Sequence, residues 1–415
     1  MRMRFMQNNL HEAFFIGENN NKTAESMKFA AILAEIIERK KSSMKCIVIG
    51  AGILGASTAY QLTRMGAEVL LVDRQDRGQA TDAAAGIICP WLTQRRNQAW
   101  YRLAAAGARF YPELVQELVQ DGETETGYAQ VGALCLHRDP EKTAQMEERA
   151  RMRKTDAPEI GKIRILDSHE TRTLFPALGD GYHAVHISGA ARVDGRAMRD
   201  ALIRSACRRG AKHMNGNASL AFDRNHVTGV TVGGQHYAAD KVIVCAGAWA
   251  AQLLQPLGIR FAVRYQKAQI IHVQTNPEQP TGAWPVVMPP SDQYLLAFDE
   301  GKIVMGATHE DLTEGYDTRI TAGGLHEILD KGLAVAPGLA DCTFQEARVG
   351  FRPFTPGFLP VIGEVPGWEG LLAANGLGAS GLTAGPYMGK QLALLALGLE
   401  PELNLLDYDI RTAIE

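Results

Sequence analysis

A glycine-rich turn between a predicted buried strand and a predicted helix constrains this chain more than any other feature. The strand Lys45–Ile49 is short, apolar and rich in β-branched residues, and the turn Gly50-Ala51-Gly52-Ile53-Leu54-Gly55 follows it directly. A helix is predicted over 56–65, and a second apolar strand over 69–72 ends in Asp73. This order is typical of a βαβ unit, so we predict a parallel sheet with helices packed on it.

The three glycines of the turn suit the binding of a dinucleotide. Gly50 permits the tight turn, Gly52 lets a pyrophosphate approach the backbone, and Gly55 lets the helix pack closely on the strand. The alternative is a glycine-rich turn without a ligand. The complete order of strand, turn, helix, second strand and terminal acid favours the dinucleotide.

The residues around the turn supply the polar groups of the predicted site. The N-terminus of the predicted helix offers unpaired N–H groups and a positive dipole end to the phosphates, and Ile53 and Leu54 of the turn are predicted to contact the cofactor. Asp73 lies at the end of the second strand and can accept hydrogen bonds from a ribose, with Arg74 beside it. The motif predicts an ADP moiety and does not by itself separate FAD from NAD.

Composition excludes several classes of protein. Apolar residues make up 46% and charged residues 21% of the 415 residues, which is typical of a globular chain with more than one domain. The net charge of −3 comes without a basic stripe, so we expect no nucleic-acid partner. No apolar run is long enough to span a membrane.

The six cysteines contain no CxxC pair and lie mostly in apolar runs. They are therefore interpreted as reduced, packed thiols of a cytoplasmic protein, and no metal site is predicted; a disulfide framework or a zinc site is the weaker alternative.

Residues 1–43 differ from the rest of the chain. A polar start with an asparagine run precedes a predicted amphipathic helix over 23–41, and the early polar residues argue against a signal peptide. We interpret this stretch as a flexible appendage, or as the product of a start site assigned too far upstream, without a chemical role.

Four later segments resemble signatures of the D-amino-acid oxidase family of flavoproteins, which includes glycine oxidases, sarcosine oxidases and D-amino-acid dehydrogenases. They occur in the family's order after the first turn, and the resemblance spans 44 to about 400. The segments are 78–87 (GQATDAAAGI), 242–249 (VIVCAGAW), 350–363 (GFRP through PVIG) and 376–383 (GLGASGLT).

The resemblance implies that the cofactor is FAD. The last segment is also a glycine-rich loop leading into an apolar helix predicted over 387–397, where N–H groups and the helix dipole can stabilise negative charge on a reduced flavin. No cysteine occurs between Arg348 and Phe354, so we expect FAD to be bound without a covalent link. The further cofactor-binding residues predicted are Thr81, Ala85, Gly86, Ile87, Ser219, Ala246, Gly247, Trp249, Gly350, Gly376, Gly378, Ala379, Ser380, Gly381, Leu382 and Thr383.

Three residues are predicted to line the substrate side. Taken alone, Arg352 is better interpreted as forming an internal salt bridge with one of the chain's own acids, such as Glu346. The resemblance reverses this preference and implies that Arg352 binds the substrate carboxylate through paired hydrogen bonds. Tyr294 matches a tyrosine that reaches over the substrate, and packing on the sheet is its alternative. His309 follows a strand at a pocket-lining position, where a solvated surface histidine is the alternative, and no acid or base role is assigned to it.

The resemblance implies oxidation of the amine of a small amino acid, either a D-amino acid, glycine or an N-alkyl glycine. A hydride passes from Cα to flavin N5, and the imino acid is hydrolysed to a keto acid. No general base is named. Oxygen, or a quinone or electron-transfer protein, is the expected electron acceptor, and a homo-oligomer is possible. The alternatives are a same-fold enzyme acting on a hydroxy acid or other substrate, and a flavin-binding subunit of an amine dehydrogenase complex. Arg348 stands where many members have tryptophan, which leaves the pocket wall and the preferred side chain open.

The fold class implied is α/β: a FAD-binding Rossmann-type (glutathione-reductase-like) domain with a second, smaller antiparallel-sheet substrate domain. The FAD-binding domain is predicted to be discontinuous, over 44–125, 185–262 and 345–405. The substrate domain is predicted over 126–184 and 263–344, with the stretch 266–269 (QKAQ) at the junction.

Overall fold

The computed structural model describes residues 43–311 and 315–415, and Met44–Glu415 form one compact unit. The helix predicted over 23–41 lies outside the described residues. Within them, no helix is long and apolar enough to cross a membrane.

A six-stranded sheet carries the glycine-rich turn. Its central strand Lys45–Ile49 is buried from Cys46 onward and pairs in parallel with a neighbour on each side, as the apolar sequence predicts. Five strands are parallel, and Val361–Glu364 pairs antiparallel at one edge. The strand order is Val361–Glu364, Leu371–Asn375, Lys241–Val244, Lys45–Ile49, Glu68–Asp73 and Lys212–Asn215.

Two helices pack against each other beside this sheet, and both begin near its carboxyl edge. Ser57 Oγ of the helix Ile53–Arg64 donates a 2.7 Å hydrogen bond to the Pro386 carbonyl of the helix Gly381–Ala396. Gly389 allows the close approach, because a Cβ there would lie 2.8 Å from Ser57. The other α-helices of the described part of the chain are Gln98–Gln120, Pro140–Lys154, Ser168–Leu174, Gly195–Arg208, Ala250–Leu254 and Ala322–Val335.

A buried carboxylate joins three of the helices. Asp121 follows the helix Gln98–Gln120 and accepts hydrogen bonds from the hydroxyls of Tyr60 (2.9 Å) and Ser205 (2.6 Å) and from Arg209. Burial opposes ionisation of Asp121, but these donors together lower its pKa to about 2. The helices therefore meet at an ionised acid.

A nine-stranded, mostly antiparallel sheet forms the second layer of the unit. Its longest pair joins Arg264–Gln274 to Thr343–Phe354, with Gln266 opposite Arg352. The predicted domain joints at 185 and 345 fall inside strands of this sheet, His183–Ile187 and Thr343–Phe354. Its other strands are Ala133–His137, Ile163–Leu166, Val286–Met288, Tyr294–Ala297, Lys302–Gly306 and Glu310–Asp311.

Two small sheets complete the described strands. One has three antiparallel strands, Ala218–Asp223, His226–Val232 and Gln235–Ala238, and the other pairs Ile87–Ile88 with Ala191–Arg192. The parallel sheet, its helices and the antiparallel second sheet confirm the expected α/β fold class.

Candidate active site

The glycine-rich turn is held to the end of the second strand by a carboxylate. The Ala51 N–H donates to Asp73 Oδ2 at 2.6 Å, and the Gly50 N–H donates to the Val72 carbonyl at 2.8 Å. The helix begins at Ile53, whose N–H donates to Thr81 Oγ1 at 3.0 Å. Asp73 and Thr81, both predicted as ligand contacts, therefore also fix the shape of the turn.

Asp73 has further donors of its own. The Gln75 N–H and the Gln79 side-chain amide donate to Asp73 Oδ1 at 2.5 and 2.9 Å. The carboxylate is buried, at 7% exposure, and lies on the cavity wall. Its orientation is thus fixed before any ribose is bound. The sequence analysis did not predict a role for Gln79, although this residue lies in the resembling segment 78–87, directly before the helical turn Ala80–Ala83.

The glycines of the site separate into two kinds. At Gly50 (φ +101°) a Cβ would lie 2.4 Å from the Cys245 carbonyl oxygen, and at Gly55 it would lie 1.8 Å from the Gly50 carbonyl oxygen, so the protein itself requires both. Gly381 has no protein atom within 4 Å of such a Cβ, and Gly52 has only the Thr81 hydroxyl at 3.3 Å; neither has a positive φ. Gly52 and Gly381 therefore leave space for a ligand.

A cavity of about 630 Å³ runs from the glycine-rich turn to the nine-stranded sheet. Of the predicted cofactor-binding residues, Gly55 and Ser380 do not line it. Gly55 packs helix on strand, as predicted, and Ser380 Oγ accepts a 2.9 Å hydrogen bond from Trp100 Nε1. The predicted residues that line the cavity are Gly50, Gly52, Ile53, Leu54, Asp73, Arg74, Thr81, Ala85, Gly86, Ile87, Ser219, Ala246, Gly247, Trp249, Gly350, Gly376, Gly378, Ala379, Gly381, Leu382 and Thr383.

The helix that follows the second glycine-rich loop begins earlier in the sequence than predicted. The helix runs over Gly381–Ala396 rather than 387–397, with Pro386 inside it. Pro386 has no N–H to donate to the Leu382 carbonyl, and that carbonyl accepts a 2.5 Å hydrogen bond from the Tyr111 hydroxyl instead. The loop is tied to its neighbours by Asn375, whose Nδ2 donates to the Gly247 carbonyl at 2.8 Å, and by Thr383, whose hydroxyl donates to the Ile87 carbonyl at 2.9 Å. Three of the resembling segments thus meet around one helix N-terminus.

The far end of the cavity brings together Arg352, Tyr294 and His309. Burial raises the pKa of the Tyr294 hydroxyl, and the neighbouring Arg352 guanidinium opposes the rise. The Glu346 carboxylate, the alternative partner of Arg352, instead accepts a 2.9 Å hydrogen bond from Arg348 Nε. No carboxylate among the described residues forms an ion pair with Arg352. The partly buried guanidinium of Arg352, which has no carboxylate paired with it among the described residues, is therefore available to an anion in the cavity.

His309 lies at the cavity wall beside an acid that the sequence analysis missed. His309 Nδ1 is 3.7 Å from Asp292 Oδ2, and Lys331 Nζ is 3.2 Å from the same oxygen. Burial and the Arg352 charge lower the pKa of His309. The sequence signal for Asp292 was its place two residues before Tyr294, just ahead of the strand Tyr294–Ala297.

The predicted junction stretch lies beneath the cavity floor. Ala268 lines the cavity, while the fully buried Lys267 turns away and pairs with Glu310 (3.4 Å) and Asp317 (3.1 Å). Gln269 Nε2 donates to the same Glu310 at 2.7 Å. These contacts fix the strand that is paired with the Arg352 strand.

Aromatic rings close one side of the cavity. Tyr316 stacks on Trp249 with ring centroids 5.2 Å apart and on Tyr265 with centroids 4.7 Å apart, and Phe351 meets all three rings edge-on. Of this group, Trp249 and Phe351 line the cavity. Only Trp249 was predicted, since the other rings come from segments far apart in the chain.

Residues 45–395 match the model of the family described as FAD dependent oxidoreductase, DAO. The chain belongs to this family. It is 61% identical over 363 residues to the uncharacterised oxidoreductase YurR of Bacillus subtilis (88% of this chain, 97% of the relative). It is 30% identical over 371 residues to the glycine oxidase of Pseudomonas aeruginosa (88% and 98%). The crystal structure of iminodiacetate oxidase from Chelativorans sp. BNC1 superposes with a TM-score of 0.84 at 47% identity (88% and 98%).

Membership confirms the resemblance and makes the chain an FAD-dependent oxidoreductase. The cavity fits FAD by its own features: two helix N-termini with open glycines, at Gly52 and Gly381, and an oriented acid at Asp73. The first helix N-terminus would hold the pyrophosphate, and the second would face the flavin ring. Arg352 and Tyr294 lie on strands of the nine-stranded sheet and His309 lies between two of them, at the other end of the cavity from the glycine-rich turn.

Proposed function

We propose that this FAD-dependent oxidoreductase oxidises the amine of glycine or of an N-substituted glycine. The observation that carries the proposal is Arg352, a cavity-lining guanidinium whose candidate internal partner, Glu346, is taken by Arg348. A planar guanidinium binds a carboxylate through two parallel hydrogen bonds. Tyr294 beside it closes the carboxylate site with a hydroxyl.

The residues of the cavity divide the work of the reaction. Arg352 and Tyr294 hold the substrate carboxylate and so turn Cα toward the cofactor, and positioning of this kind supplies much of the rate. FAD, when bound, would supply the acceptor for the hydride of Cα. The helix N-terminus at Gly381 would stabilise negative charge on the reduced cofactor. Water then adds to the C=N bond of the imino acid and releases a keto acid and an amine.

The relatives support a small, glycine-type substrate. One is named a glycine oxidase and another an iminodiacetate oxidase. Glycine would give glyoxylate and ammonia, and iminodiacetate would give glyoxylate and glycine. In both cases two electrons and one proton leave as a hydride, and one water is consumed.

We further propose that FAD is held without a covalent link, in a reducing compartment such as the cytoplasm. Among the described residues, Cys245 is the one cysteine on the cavity wall, and burial raises the pKa of its thiol to about 12. A protonated thiol is a poor nucleophile. All six cysteines are free.

Anaerobic bleaching of the flavin tests the proposal. Glycine, sarcosine, iminodiacetate, proline and D-amino acids are mixed with the yellow protein, and glycolate and lactate test the hydroxy-acid alternative. Arg352→Met is expected to lower the second-order rate constant of bleaching by about a hundredfold or more, which corresponds to the loss of a charge-assisted pair. Arg151→Met is the control, since Arg151 is exposed and pairs only with Glu147.

Two outcomes contradict the proposal. Bleaching by hydroxy acids and not by amines would replace the substrate class, and normal bleaching of Arg352→Met would remove the carboxylate assignment. Readmitting oxygen, or a quinone, to the bleached protein then identifies the electron acceptor by the rate at which the yellow colour returns.

A further inference from the structure

At neutral pH a free amino acid carries an ammonium group, and hydride loss from Cα requires the neutral amine, whose lone pair forms the C=N bond. Some group must accept the ammonium proton. Arg352 is a permanent cation, and burial raises the pKa of Tyr294. Of the predicted catalytic residues, His309 remains.

We propose that His309, oriented and charge-balanced by Asp292, takes the proton from the substrate ammonium in this enzyme. This assignment rests on the proposed function. An N–H bond of the ammonium breaks as a bond from the proton to His309 Nε2 forms. The products of the step are a neutral amine and an imidazolium, and no electrons are exchanged.

The geometry around His309 supports this direction of transfer. Asp292 Oδ2 is nearer to Nδ1, at 3.7 Å, which leaves Nε2 for the substrate. Asp292 and His309 both line the same cavity as Arg352. The Arg352 charge acts on His309, so a substrate whose carboxylate is bound to Arg352 would have its ammonium in the same end of the cavity as the imidazole.

The charges that face His309 come from three other elements. Arg352 on its strand disfavours the imidazolium, and so does Lys331 on the helix Ala322–Val335; Asp292 and Glu327 favour it. Burial and the Arg352 charge have the largest effects on the pKa of His309, and both lower it. The imidazole is therefore neutral at pH 7 and able to accept a proton.

Asp292 is kept ionised for this role. Burial opposes its ionisation, but hydrogen bonds from Gln293 and Lys331 hold its pKa below the usual range. Lys331 is also bound by Glu327 at 2.8 Å. Its charge is therefore shared between two acids, and Asp292 retains negative charge toward His309.

The test is the pH profile of anaerobic flavin reduction by glycine and by iminodiacetate. In the wild-type enzyme the second-order rate constant is expected to rise through the lowered pKa of His309 and then to stay level up to the pKa of the substrate amine. For His309→Gln this rate constant is expected to be about a hundredfold or more below that of wild type at pH 7. At pH 10, where the substrate amine is already neutral, it should be only about tenfold below.

Two further variants separate proton transfer from a structural role. Asp292→Asn is expected to move the acidic limb to lower pH, because the imidazolium loses its counter-charge. His213→Gln is the control, since His213 is exposed on the strand Lys212–Asn215 and lies outside the cavity. NMR titration of labelled histidines gives the His309 pKa directly, and Asp292→Asn should lower it in the absence of substrate.

The outcomes distinguish this assignment from the proposed function. If neither amine reduces the wild-type flavin, the proposed function fails and the assignment with it. If the amines reduce wild type, but His309→Gln keeps the wild-type profile or the Asp292→Asn titration is unchanged, the proton acceptor alone is overturned.

Discussion

Gly52 and Gly55 lie three residues apart in one turn, and their replacement by alanine should have opposite consequences. In Gly55→Ala the new Cβ would lie 1.8 Å from the Gly50 carbonyl oxygen and 3.2 Å from Cys245 Cβ. Overpacking of this kind costs about 3 kcal/mol or more, since the nearest atom is backbone. Alanine favours the helix over glycine by up to about 1 kcal/mol, which offsets part of this cost. We expect a net loss of at least about 2 kcal/mol in the free energy of unfolding.

The assay is the Tm of the protein freed of FAD. The entropy of unfolding is about 0.8 kcal/mol/K for a unit of this size, so Gly55→Ala should lower Tm by about 3 °C or more. Gly52→Ala should leave this Tm unchanged, because its Cβ would meet only the Thr81 hydroxyl at 3.3 Å.

The affinity for FAD tests the predicted role of Gly52. A methyl group at Gly52 points into the space that a pyrophosphate would take, so Gly52→Ala should raise the Kd for FAD by about tenfold or more. An unchanged Tm of Gly55→Ala, or a lowered one for Gly52→Ala, would refute the division of roles between the two glycines.

Three further predictions concern the polar contacts. Lys267→Met should lower Tm more at pH 7 than at pH 3. The pKa values of Glu310 and Asp317 are lowered in the folded protein, so the stability that these carboxylates contribute is complete above the ordinary carboxyl pKa. It is lost as the pH falls through their folded-state pKa values. Asp121→Asn should lower Tm by several degrees at pH 7. Because the pKa of Asp121 is also lowered in the folded protein, the difference in Tm between wild type and variant should disappear as the pH falls from about 4 to about 2. Tyr294→Phe should raise KM for glycine about tenfold with Tm unchanged, as measured by steady-state kinetics, because one hydrogen bond to a carboxylate is lost.

The sequence was sufficient wherever the physical requirement is local. The strand Lys45–Ile49, the glycine turn and the terminal Asp73 lie within one βαβ unit, so their spacing alone determines which groups meet. The resembling segments added the second helix N-terminus near Gly381. The helix start there was misplaced by several residues, since a proline looks like a helix break in the sequence. The Leu382 carbonyl that Pro386 leaves without a helix donor is bonded by the Tyr111 hydroxyl, far away in the chain.

Contacts between distant strands were beyond the sequence. The sequence offered Glu346 as a partner for Arg352, and the straight strand excludes this pair. Arg348 lies two positions from Glu346 and binds it, while Arg352 lies six positions away along the same strand, too far for an ion pair. Asp292 and His309 come from segments on either side of a hairpin, and Lys331 comes from a later helix. The sequence by itself therefore predicted the glycine-rich turn and its terminal acid, because these belong to one continuous βαβ unit. Only the tertiary structure decided which charges surround the substrate, because those charges meet through sheet pairing and helix packing.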